Sequence, residues 1–117
     1  MKYDLSLLKK LAGDDEKFII DMINTFRVVS PPIIEKMVEL EAEKKYDLLG
    51  KEAHKLIPGV SFLGADMLKD ELIRIESGVK DNSTSNDNIH EYVHNAREHT
   101  YELILTLERD FNLDTAS

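Results

Sequence analysis

Apolar residues recur three or four positions apart along nearly all of the 117-residue chain, which is the spacing of one face of an α-helix. Alternating β-branched runs and Asn-Gly or Asp-Gly turns, which are typical of strands and hairpins, are missing from the sequence. We therefore predict an all-α fold. Four principal helices with short connections bury their apolar stripes most simply as an antiparallel up-down four-helix bundle, with an additional short N-terminal helix as a lid.

Residues that start or stop helices divide these stripes. Gly13 ends the short first helix, and Ser30-Pro31 predicts a helix start because Ser caps helices and Pro is tolerated in the first turn. A break is predicted near Lys45–Asp47, although no Gly or Pro marks it. Pro58-Gly59 predicts a kink or a helix end, and the polar segment 77–88 is predicted to be a loop.

Composition narrows the classes of function. Lys and Arg total 15 against 23 Asp and Glu, so the net charge is 15 − 23 = −8, which argues against nucleic acid as a partner. The absence of cysteine excludes disulfides, thiolate metal sites and thiol nucleophiles. No apolar run approaches the roughly 20 residues that span a membrane. We expect residues 1–117 to form a single domain of a cytoplasmic protein, and a monomer, because the stripes are about as wide as one bundle needs.

His54 is predicted to lie on the solvent side of its helix. At 100° per residue, the apolar positions of that helix fall about 200–260° away from it. Within about 60° of the histidine, mostly small or short residues are expected. These neighbours are Asp47, Gly50, Lys51, Ile57, Pro58 and Ser61. Such an imidazole is open to another macromolecule and is not enclosed in a catalytic cleft, although an ordinary surface histidine fits the same pattern.

The segment from Ala53 to Ala65, AHKLIPGVSFLGA, resembles the signature of the histidine-containing phosphotransfer (HPt) domain family, in which Ala-His-x-Leu is followed ten residues after the His by Gly-Ala. The resemblance extends to Leu11–Glu16 and to Ile75-Glu76, which stands in place of the family's Leu-Glu. It covers most of the chain. Two departures are Ile57 and Pro58, where the family usually has Lys and Gly.

The resemblance implies a phosphorelay intermediate without autonomous kinase activity. His54 would take a phosphoryl group from one receiver-domain aspartate and pass it to another, with a hybrid sensor histidine kinase as a further partner. The domain would need no cofactor of its own, since the receiver supplies Mg²⁺. Lys51, one turn before His54, is the candidate phosphate stabiliser, because Lys55 lies about 100° round the helix. The expected receiver-binding residues are Gly50, Lys55, Ile57, Pro58 and Ser61.

Two alternatives remain open. His90, His94 and Glu98 share one stripe, and Glu91 precedes His94 with the Glu-x-x-His spacing of di-iron bundles. The second Glu-x-x-His that such sites need is missing, so these side chains are interpreted as a solvated face and no metal site is predicted. The other alternative is a helical interaction module that has lost phosphotransfer, as the changes at positions 57 and 58 would allow.

Overall fold

The computed structural model describes residues 1–82 and 84–114, which form five α-helices. The helices are α1 (Ser6–Ala12), α2 (Glu16–Ala42), α3 (Tyr46–Phe62), α4 (Asp66–Asp81) and α5 (Asn86–Asp110). No strand occurs in this part of the chain, so the all-α prediction is confirmed. No helix within the described ranges combines the length and the apolar character that crossing a membrane would require.

Helix ends carry identifiable local signals. The Asp15 carboxylate accepts a hydrogen bond from the backbone N–H of Phe18 at 3.1 Å and so caps α2. The predicted break near Lys45–Asp47 is confirmed, because α2 ends at Ala42 and α3 begins at Tyr46. Lys44 takes the left-handed conformation there, with φ 58°, in a position where glycine is more usual.

The predicted helix start at Ser30-Pro31 is wrong, because α2 continues through Pro31 and Pro32. Ser30 is buried, and its hydroxyl donates to the Phe26 carbonyl at 2.6 Å, so it bonds back within the helix and caps nothing. Each proline leaves the carbonyl four residues earlier without its helical donor. One of these carbonyls belongs to Val28, which is 73% exposed, so water can satisfy it.

Two further boundaries differ from the prediction. Of the kink or helix end predicted at Pro58-Gly59, the helix end is wrong, because α3 continues to Phe62 with Pro58 inside it. The segment 77–88 is mostly helical, since α4 reaches Asp81 and α5 begins at Asn86; Ser83, within that segment, lies outside the described residues. Gly78 accounts for part of the error. It is buried in α4, and a Cβ there would lie 2.6 Å from Thr84 Oγ1 and 3.1 Å from Ile89 Cδ1, so this glycine permits close packing of the α4–α5 connection and of α5.

Each of the four long helices packs against two of the other long helices. α3 contacts α2 and α4, α5 also contacts α2 and α4, and α1 packs on α2. Their apolar faces form one core, with fully buried side chains that include Ile34, Leu49, Leu72 and Leu103. The burial of so many apolar side chains in one cluster is the main force that holds the helices together.

Hydrogen bonds from Tyr3 and Asp4 are among the contacts that tie the N-terminal segment to the ends of α5 and α3. The Asp4 N–H donates to the Leu63 carbonyl at 3.1 Å, next to Gly64, whose φ of 64° and contact with the Asp4 backbone leave no room for a side chain. The Tyr3 hydroxyl donates to Asp110 Oδ2 at 2.8 Å. Burial, and then this bond to a carboxylate, raise the pKa of Tyr3 to about 12.

Candidate functional site

The imidazole of His54 projects from the middle of α3 into solvent, with 71% of its side-chain surface exposed. The prediction that this histidine faces away from the core is confirmed. Its Nδ1 atom lies 2.5 Å from Oε2 of Glu76, which comes from α4. A carboxylate of a neighbouring helix is therefore the fixed partner of the ring.

This contact divides the roles of the two ring nitrogens. A carboxylate beside Nδ1 favours the tautomer with the proton on Nδ1, because the proton then lies between the two groups. Nε2 of His54 takes part in no hydrogen bond or ion pair with the described residues. In that tautomer Nε2 carries the free lone pair, so the solvent-facing nitrogen of His54 is available as a nucleophile.

A shallow groove between α3 and α4 surrounds the histidine. Its lining residues are Asp47, Gly50, Lys51, His54, Lys55, Glu76, Val79 and Lys80. The three lysines differ in their surroundings. Lys55 pairs with Glu52 at 3.0 Å, whereas Lys51 and Lys80 form no ion pair within the described residues. Lys51, which the sequence predicted, and Lys80, which it did not, are therefore the ammonium groups available to an anion bound in this groove.

Gly50 has a different position from the one predicted. It was expected to leave the histidine's face open to a partner, but it is buried against α4. A Cβ at this position would lie 2.8 Å from Val79 Cγ2. The absence of a side chain thus lets α3 and α4 approach closely, and this approach brings Glu76 within reach of His54.

The other predicted partner-binding residues vary in exposure. Pro58 is exposed, whereas Ile57 is partly buried and packs against the core. Ser61 is also partly buried, and its hydroxyl already donates to the Ile57 carbonyl at 2.8 Å. Of these three residues, Pro58 therefore offers the most accessible side chain to a partner.

An apolar groove between α2 and α3 lies next to this surface. Its walls include Met22, Val29 and Phe62, and Lys55 lines both this groove and the one that holds His54. Val29 is 47% exposed, and Val28 beside it is 73% exposed. The helical periodicity had not singled out these valines. Val29 adds apolar area from α2 to the groove that adjoins the histidine's own.

The remaining histidines also lie beside carboxylates. His99 Nδ1 is 2.7 Å from Glu71 on α4, and His90 Nδ1 is 2.6 Å from Glu41 on α2. His94 joins His90 and Glu41 in one cluster, whose ligand atoms lie within 4.8 Å of one another. The sequence had placed Glu98 beside this pair of histidines. The structure instead brings in Glu41 from another helix.

Comparisons of this chain with protein-family models, with curated proteins and with solved structures gave no significant match. In its neutral form, an exposed imidazole with a carboxylate at one nitrogen can act as a nucleophile. The two ammonium groups in the same groove, which form no ion pair with the described residues, suit a product that is an anion.

Proposed function

We propose that this chain is a histidine phosphotransfer protein of the HPt type, which relays a phosphoryl group between receiver domains of a two-component signalling system. The observation that carries the proposal is the environment of His54. Its ring is 71% exposed, Oε2 of Glu76 lies 2.5 Å from its Nδ1, and its groove is also lined by Lys51 and Lys80, which form no ion pair with the residues that the structure describes. The resemblance of the segment Ala53–Ala65 to the family signature supports the same function.

The transfer uses Nε2 of His54 as the attacking atom. Its lone pair approaches the phosphorus of an aspartyl phosphate in line, the N–P bond forms, and the P–O bond to the aspartate breaks to release a carboxylate. Positive charge develops on the imidazole during the attack, and the Glu76 carboxylate 2.5 Å from Nδ1 stabilises that charge. A carboxylate oxygen of the second receiver then attacks the same phosphorus and restores the neutral ring.

The lysines of the groove act on the phosphoryl group. A phosphoryl group on His54 adds negative charge to the groove, and the ammonium groups of Lys51 and Lys80 offset that charge. The family's usual Lys three residues after the histidine is replaced by Ile57. Lys80, from α4, supplies a second cation in its place. Mg²⁺ belongs to the receiver, and this chain brings no cofactor of its own.

The receiver is proposed to dock over Pro58 and across the apolar groove between α2 and α3. Val29 and Phe62 line this groove and give it apolar area, and such area favours association with another protein. Because the nucleophile stands clear of the helices, the receiver can enclose it within its own acidic pocket. A receiver domain and a hybrid sensor kinase carrying one are the partners that this surface fits.

The arrangement of the four long helices fits the same proposal. Each contacts two of the others, and the connections between consecutive helices are short, so we infer an antiparallel up-down bundle of α2–α5 with α1 at its side. A monomeric cytoplasmic protein without autonomous kinase activity is the form in which such a domain would serve as a relay.

The experiment is phosphotransfer from receiver domains charged with labelled acetyl phosphate, chosen among those encoded near this chain. We expect wild-type protein to gain acid-labile label and His54→Gln to gain none. The same variant should retain the wild-type circular dichroism spectrum, since the side chain is exposed. A folded wild-type protein that gains no label from any of these receivers, yet binds them, would favour the phosphotransfer-inactive interaction module.

A further inference from the structure

A second cluster of potential ligands lies between the end of α2 and the start of α5. Glu41 is in the last turn of α2, and its side chain is 11% exposed. His90 and His94 lie one turn apart on α5, with 60% and 44% of their side chains exposed. Their ring centroids are 4.3 Å apart. Both rings face the same carboxylate oxygen, at 2.6 Å for His90 Nδ1 and 3.8 Å for His94 Nε2.

From this cluster we propose a binding site for a divalent transition-metal ion, with Zn²⁺ as the representative, held by Glu41, His90 and His94. Zn²⁺ lies about 2.0–2.2 Å from imidazole nitrogen and carboxylate oxygen, so two ligand atoms at a tetrahedral angle are about 3.3 Å apart. The two observed separations of 2.6 and 3.8 Å fall on either side of that value. Small side-chain rotations bring the three atoms around one ion.

The donor set decides the kind of ion. Two imidazoles and one carboxylate suit Zn²⁺, Ni²⁺ or Cu²⁺, whereas Mg²⁺ and Ca²⁺ prefer sites built from oxygen alone. The Glu41 carboxylate is already desolvated, and the two imidazoles share one helix face. Few side-chain conformations therefore have to be restricted when the ion binds. The exposed rings leave further coordination positions open to water.

The site lies away from the phosphotransfer groove. His54 faces solvent between α3 and α4, whereas this cluster joins α2 to α5. Bound metal would therefore link two helices that are distant in sequence and raise the melting temperature, without a ligand from the groove. The proposal does not depend on the phosphotransfer function.

The test is a titration of tag-free, chelator-treated full-length protein with ZnCl₂ by calorimetry, and with Co²⁺ by visible absorption. We expect one ion per chain and a melting temperature that rises with Zn²⁺ concentration. Glu41→Gln and His94→Gln should each weaken binding by at least about tenfold, because loss of even an outer-shell partner of a metal ligand costs about 10–100-fold in affinity.

The matched control is His99→Gln, which removes a histidine of the same helix that pairs with Glu71 outside the cluster. It should bind Zn²⁺ like the wild type. His90→Gln provides a second ligand variant in case Glu41→Gln fails to fold. Absence of binding up to about 1 mM Zn²⁺, or equal affinity in the His90, His94 and His99 variants, would overturn the proposal.

Discussion

The contact between His54 and Glu76 allows the sharpest prediction about the relay chemistry. Replacing Glu76 by Gln keeps the size of the side chain and removes the charge that lies 2.5 Å from Nδ1. The transition state, in which the ring gains positive charge, should lose more stabilisation than the neutral ground state. We therefore expect slower phosphoryl acceptance with an unchanged fold.

Solvent sets the magnitude of this effect. His54 is 71% exposed and Glu76 is 32% exposed, so water screens the pair. Exposed ion pairs contribute about 0.2–1 kcal/mol. Since about 1.4 kcal/mol corresponds to a tenfold change in rate, the rate of transfer should be about 1.4- to 5-fold lower. His54→Gln should instead abolish transfer, because it removes the nucleophile.

Rapid-quench measurement of label transfer from a phosphorylated receiver, at subsaturating concentrations of this protein, gives the rate. Glu71→Gln is the matched control. It removes a carboxylate of the same helix that pairs with His99 at 2.7 Å and lies outside the groove. An unchanged rate in Glu76→Gln, or an equal loss in Glu71→Gln, would refute the assignment of Glu76 to the developing charge.

Three further predictions concern the groove, the packing and the N-terminus. Lys51→Ala should slow transfer more than Lys55→Ala, because the latter lysine is already paired; equal rates in the same assay would contradict this. The free energy of unfolding in urea should be about 1–3 kcal/mol higher for Gly59→Ala than for Gly50→Ala, since of these two positions only the Cβ at 50 overlaps a neighbour, Val79. Equal unfolding midpoints would contradict the close packing of Gly50 against Val79. The pKa of Tyr3 is raised from its ordinary 10.0 to about 12. The protonated hydroxyl therefore stabilises the fold fully below about pH 10, and this stabilisation is lost as the pH rises toward 12. Tyr3→Phe should remove from an ultraviolet titration a phenolate that forms near pH 12, and loss of one that forms near pH 10 instead would show that the bond contributes nothing.

The helices could be predicted from the sequence because the spacing of apolar residues, three or four positions apart, is a local property of the chain that is kept in the packed core. It failed at Ser30, where the same side chain can cap a helix or bond back to a carbonyl within one. Burial decides between the two, and burial depends on helices that lie far away in the sequence. The loop around Gly78 was misjudged for a related reason, since a glycine that ends a helix and one that permits close packing have the same letter.

The candidate site likewise has one part that could be predicted from the sequence and one part that could not. The exposure of His54 and the position of Lys51 follow from the angle per residue within one helix. Glu76 and Lys80 come from α4, and the register between α3 and α4 is set by packing such as that of Gly50 against Val79. Glu41 likewise joins its histidines across two helices. Periodicity within a helix does not contain this information.

The proposed relay requires that Nε2 of His54 carry the phosphoryl group. Nitrogen-15 spectra of the imidazole ring, recorded before and after addition of a phosphorylated receiver with Mg²⁺, test it directly. We expect the Nε2 resonance of His54 to shift to that of a phosphorylated nitrogen and to couple to phosphorus-31, while Nδ1 keeps its proton. Detection of the phosphoryl group on another side chain would contradict this role of His54. So would a His54 spectrum that stays unchanged although the receiver has transferred its phosphoryl group to this protein.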